Sequence, residues 1–93
     1  MTGLAESTLK DLQDTGSLYV RRQVGLGVVR VNFERAATRL RLVAPEHAEV
    51  VRSFAELFER IDERRPSNEQ YVEVGRVLDR FDDWLKRSNG AAG

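Results

Sequence analysis

Apolar residues recur at helical spacing through most of this chain. Between Pro45 and Arg64, Val50, Val51, Phe54, Leu57, Phe58 and Ile61 follow a 3.6-residue period without a break. Proline is tolerated in a first helical turn, Glu46 and Glu49 suit the positive end of a helix, and Arg64 and Arg65 suit its negative end. The pattern predicts a helix over 45–64. Pro66 separates it from a second stripe of Tyr71, Val74, Leu78, Phe81 and Leu85, widened by Val77 and Trp84. Ser67 and Gln70 have the spacing of a capping box, and Asn89 with Gly90 reads as a stop. That predicts a helix over 67–87, a disordered tail over 88–93, and an antiparallel hairpin of the two C-terminal helices.

The N-terminal pattern is sparser. Leu4, Leu9 and Leu12 predict a short helix over 4–14, with Gly16 as a stop and Ser17 as the next N-cap.

The stretch from Gln23 to Val43, QVGLGVVRVNFERAATRLRLV, admits three readings. As a dinucleotide fingerprint it fails, because Arg30 stands where the third glycine is required and no βαβ unit surrounds it. As a strand pair it has alternation at Val29, Val31 and Phe33, and at Leu40 and Leu42. The intervening ERAAT, however, supplies no turn-forming residue. As a helix it explains more positions. Leu26, Val29, Phe33, Ala36, Ala37, Leu40 and Val43 make one stripe, extended backwards by Leu18 and Tyr19. Val20, Val24, Gly27, Val28, Val31 and Leu42 make a second.

The expectation is therefore one long central helix over 17–43, packed from two directions, with Gly25 and Gly27 permitting close backbone approach. At 1.5 Å per residue it would run about 40 Å against about 30 Å for each later helix, leaving two turns without a partner. The expected fold is a single all-α domain, a small three- to four-helix bundle.

Charge sharpens this picture. The formal net charge is zero, but residues 18–44 carry six arginines (Arg21, Arg22, Arg30, Arg35, Arg39, Arg41) against one acid, Glu34. Residues 45–83 carry eleven acids against six arginines. A near-neutral pI thus hides a dipolar chain. At 41% hydrophobic and 32% charged, the composition is that of a globular domain.

Chemistry is hard to assemble from these residues. There is no cysteine, which excludes a disulfide framework, a thiol nucleophile and a zinc–thiolate site. His47 is the single histidine and reads as a solvent-exposed residue near a helix start, since metal sites need three or four converging ligands. The serines lack a nucleophile elbow. The carboxylates Glu59, Asp62, Glu63, Asp79, Asp82 and Asp83 read as solvated helix faces, with pairs such as Asp82–Lys86 and Asp83–Arg87 at i,i+4. No enzyme, cofactor, metal or small-molecule substrate is expected. No segment has the roughly 18 apolar residues of a membrane span, and no signal peptide is legible, so a cytoplasmic protein is expected.

The expected function is a non-catalytic protein–protein interaction module: a small subunit, adaptor or regulatory partner of a larger assembly. Its expected contact residues are Val20, Val24, Val28 and Val31 with Arg21, Arg22, Arg30, Arg35, Arg39 and Arg41. Self-association is preferred over a hetero-complex. The alternative is a small DNA- or RNA-binding regulator using the Arg21–Arg41 stripe, against which stand the neutral charge and the lack of any known reading motif.

Overall fold

The computed structural model describes residues 3–64 and 67–92, with the side chains at 67, 68 and 89–92 outside that description. Among the described residues there are four helices and no strand: α1 (Gly3–Val20), α2 (Leu26–Val43), α3 (Pro45–Arg64) and α4 (Ser67–Ala92). They form a small bundle of 40 × 22 × 19 Å in which α2 packs on α1 and α3, and α4 packs on α3 and α1.

The expected long helix over 17–43 is instead two helices joined by a turn at residues 21–25. Helix α1 correspondingly runs straight through Gly16 to Val20 rather than ending at residue 14. Its end is a Schellman motif. The Gln23 N–H donates to the Leu18 carbonyl at 2.9 Å, and the Arg22 N–H donates to the Tyr19 carbonyl at 2.9 Å. This closure needs a left-handed residue, and Arg22 takes it with φ 62°. Gly25 then caps α2 in an extended conformation, φ −88° and ψ 171°, its carbonyl accepting from the Val28 and Val29 N–H groups. With the long helix divided, the two unpartnered turns expected from its length do not exist, because α1 folds back along α2.

Gly16 is not a stop but a contact. A Cβ built there would lie 3.0 Å from Leu78 Cδ2, so the missing side chain is what lets α1 approach α4. Gly25 and Gly27 have the opposite character. Nothing lies within 4 Å of a Cβ at either position, so they serve no close backbone approach.

The expected 45–64 helix is matched end to end by α3. A single residue, Ala44, links it to α2: its N–H donates to the Leu40 carbonyl at 2.7 Å and its own carbonyl accepts from Ala48 at 3.0 Å. Pro45 enforces this change of direction, because the residue before a proline is excluded from the helical region. Helix α4 starts at the expected Ser67 but continues through Asn89 and Gly90 to Ala92, in place of a disordered tail. Pro66 and the capping hydroxyl of Ser67 lie outside the described residues. The Gln70 side chain is buried and donates to Asp62 Oδ1 at 3.3 Å.

The core is centred on Phe33, which is fully buried. Its ring meets those of Phe58 at 4.9 Å, Phe81 at 5.0 Å and Phe54 at 6.4 Å, all edge-on. Leu12, Leu40, Val29, Val51 and Val74 complete the fully buried set. The first stripe of the sequence is thus the core stripe, except that Leu18 and Val43 at its ends are exposed.

Candidate interaction surface

The second stripe of the sequence is the part that the fold leaves outside. Val20, Val28 and Leu42 are 63%, 45% and 90% exposed, while Val24 and Val31 are half-buried. Large exposed apolar side chains are concentrated on two helices. Among the described residues, Leu4, Leu18 and Val20 belong to α1, Val28, Leu42 and Val43 to α2, Val72 alone to α4, and none to α3. Exposed apolar side chains gathered on two adjacent helices mark an interaction surface better than scattered ones do.

The structure distributes the ten expected contact residues over several places. Val28, Val31, Arg30 and Arg35 share a shallow depression on the outward side of α2, together with Gly27 and Asn32. Arg35 also reaches round to α1, where it lines a cleft of about 180 Å³ with Arg39, Asp11 and Thr15. There the Asn32 amide donates to the Thr15 hydroxyl at 3.2 Å, and the Thr15 hydroxyl donates to the Asp11 carbonyl at 3.0 Å. Arg41 lies on the other side of α2, in a cleft of about 210 Å³ against Ala48, Glu49 and Arg52 of α3. Val20 and Arg21 stand at a groove of about 650 Å³ between α1 and α4. Its floor is Leu12, Gly16, Leu78 and Phe81, and its rim includes Asp14, Asp79 and Asp82.

Arg22 is set apart by aromatic chemistry that the sequence reading missed. Its guanidinium sits 4.7 Å from the centroid of Tyr71, which stacks on Tyr19 at 4.9 Å. Burial pushes the Tyr19 hydroxyl above its ordinary pKa. Tyr71 and Asp62 push the same way, and Arg22 works against them. The signal for this cluster was present only as two tyrosines bracketing the turn region in space, and nothing in their sequence spacing joins residue 19 to residue 71.

Among the described residues, few of the arginines are neutralised by their own chain. Arg30 Nη1 lies 3.7 Å from Asp62 Oδ2, and Arg52 pairs with Glu49 at 3.6 Å. Arg21, Arg35, Arg39 and Arg41 have no ion pair within 4 Å among the described residues. The helix-face pairs Asp82–Lys86 and Asp83–Arg87 are likewise open among the described residues. Arg30 is the exception in a second way, since its Nε is buried without a hydrogen-bond acceptor.

His47 is not solvent-exposed as expected. It is half-buried with its ring edge-on to Trp84 at 5.2 Å, a packing role on the α3–α4 side. Among the described residues no three His, Asp or Glu side chains converge as a metal site would require. No described helix is long and apolar enough to cross a membrane. No family model, no curated protein and no solved structure matches this chain.

Proposed function

We propose that this protein is a non-catalytic protein–protein interaction module, a small subunit, adaptor or regulatory partner that associates through the outward surface of α2. The observation that carries the reading is the combination on α2 of uncovered apolar side chains, Val28 and Leu42, with Arg35 and Arg39, which have no ion pair within 4 Å among the described residues. The apolar groups supply affinity when a partner removes them from water. The arginines fix orientation and speed encounter with an acidic partner. A chain without cysteine suits a reducing compartment, and we place the function in the cytoplasm on that basis.

The scaffold behind this surface is read as an antiparallel α3–α4 hairpin. His47 near the start of α3 meets Trp84 late in α4, and Asp62 late in α3 meets Gln70 early in α4. Such a hairpin would hold α2 from behind and leave its outer side free. Nucleic acid is the less favoured partner. A phosphate backbone would use Arg35 and Arg39 but would leave Val28, Leu42 and Val43 in water.

The test is the size of the particle in which the chain travels. In lysate of its own cells, the wild-type chain should elute well above its 10.6 kDa. A Val28→Asp, Leu42→Asp variant with an unchanged helical circular dichroism spectrum should elute as the free chain. A wild-type chain that elutes alone in lysate would refute the proposal.

A further inference from the structure

We infer that the partner on this surface is a second copy of the chain, docked with α1 of each subunit against α2 of the other. The inference rests on the interaction reading above and adds the occupant and its orientation.

Two stripes carry it. Leu4, Asp11 and Leu18 are seven residues apart on α1, so they share one line along the helix, and Asp11 places that line beside α2. Val28, Arg35 and Leu42 are seven apart on α2, and Arg35 lies on both the α1-facing cleft and the outer depression. Each stripe is apolar at both ends and charged in the middle, acidic on α1 and basic on α2. All four apolar residues are exposed, and neither Asp11 nor Arg35 has an ion pair within 4 Å among the described residues.

The register within one chain fixes how two copies fit. The five residues between α1 and α2 fold the two helices back against each other, and Thr15 bonds Asn32 between them, so residue positions that match in height run in opposite directions along the two helices. A two-fold axis parallel to the helices preserves height and swaps the two stripes. It sets Leu18 opposite the partner's Val28, Asp11 opposite the partner's Arg35, and Leu4 opposite the partner's Leu42. Every apolar residue then meets an apolar one and every charge its opposite, twice over. A two-fold axis perpendicular to the helices would instead stack α1 on α1 and α2 on α2, facing Asp11 with acid and Arg35 with base. The parallel axis is the complementary solution, and it gives the isologous contact of an ordinary homodimer. The face is long enough for the purpose. With 18 residues each, α1 and α2 run about 27 Å, so a two-helix face roughly 20 Å wide offers on the order of 540 Å² per subunit, at the small end of the range for specific interfaces and in keeping with a reversible dimer.

Cross-linking tests the arrangement on a clean background, because the chain has no cysteine of its own. Purified Leu18→Cys and Val28→Cys variants, mixed and mildly oxidised, should give a disulfide-linked dimer, and neither variant should do so alone. Asp11→Arg alone and Arg35→Asp alone should each raise the dimer dissociation constant at least about tenfold by placing like charges opposite one another. An equimolar mixture of the two should recover wild-type association, which also shows that both variants are folded. A wild-type chain that sediments as a monomer overturns the inference, as does a dimer whose mixed cysteine variants fail to link. A monomer in isolation that still travels in a larger particle in lysate removes only the second copy. The interaction reading itself falls if that particle is absent.

Discussion

Adding side chains at two helical glycines should have opposite effects on stability, and the difference measures how closely α1 approaches α4. Gly27 lies in α2 with nothing within 4 Å of the place a Cβ would occupy. Gly27→Ala should therefore gain part of the helix-propensity difference, about 0.5 kcal/mol, because the residue lies in the first turn of α2 and not in its interior. In a domain of this length that raises Tm by roughly 2–4 °C. Gly16 lies in α1, where a Cβ would stand 3.0 Å from Leu78 Cδ2, 3.6 Å from Cδ1 and 3.8 Å from Cγ. Gly16→Val adds two further methyl groups to that contact, and overpacking of this kind costs about 1–3 kcal/mol. The two variants should differ by roughly 2 kcal/mol or more in urea melts with unchanged m values. Leu78→Ala should cost less in the Gly16→Val background than in wild type, since the space it vacates receives the new methyls; the coupling should be at least about 0.5 kcal/mol. If Gly16→Val is as stable as wild type and shows no coupling to Leu78, α1 does not lie against α4 as described.

Three further outcomes are expected. Phe33→Ala should cost about 3–5 kcal/mol, because it empties the centre of a cluster with Phe54, Phe58 and Phe81. Set against a total of roughly 5–14 kcal/mol for a domain of this length, that is a large share; a loss below about 1 kcal/mol by denaturant melt would remove Phe33 from the core. Arg22→Val should cost about 1–2 kcal/mol, since a β-branched residue is strained at φ 62°; an unchanged melt would mean that the chain passes from α1 to α2 without a left-handed residue. Tyr19 has its pKa raised in the folded state, so the stability it contributes is complete below its ordinary value of 10.0 and is lost as pH rises through the folded value. Tyr19→Phe should therefore flatten the alkaline decline of stability, and superimposable wild-type and variant curves above pH about 10 would contradict the assignment.

Much of the bundle was legible because its stripes are strong and its punctuation is unambiguous. Proline brackets α3 at its start, and its six apolar positions hold one phase to Ile61. The core stripe of α2, from Leu26 to Leu40, was less plain, because the alternation at Val29, Val31 and Phe33 also fitted a strand pair. The break between α1 and α2 was hidden by a coincidence of phase. Tyr19 and Leu26 are both buried and seven residues apart, so a helix continued through the turn keeps its apolar side in register. The turn itself uses Arg22 where a glycine is the usual signal, and Gly25 follows it with no side chain to cap α2. Gly16 misled in the other direction. A glycine is a helix stop in sequence terms, whereas here it is a helix–helix contact, which only the position of Leu78 reveals. The surface was half legible. Of the proposed surface, the α2 residues were named from charge and a second stripe, whereas Asp11, Leu4 and Leu18 were not, because only the α1–α2 contact sets Asp11 beside Arg35.

The uncovered α2 surface is proposed to serve association with protein. Sedimentation equilibrium of the purified full chain, alone and with a duplex oligonucleotide, at low and moderate salt, tests it most directly. A reversible dimer that salt weakens modestly is expected, with no oligonucleotide bound at moderate salt, because apolar burial and not counterion release drives the contact. A compact monomer that binds the oligonucleotide only at low salt, with a steep salt dependence, would contradict it.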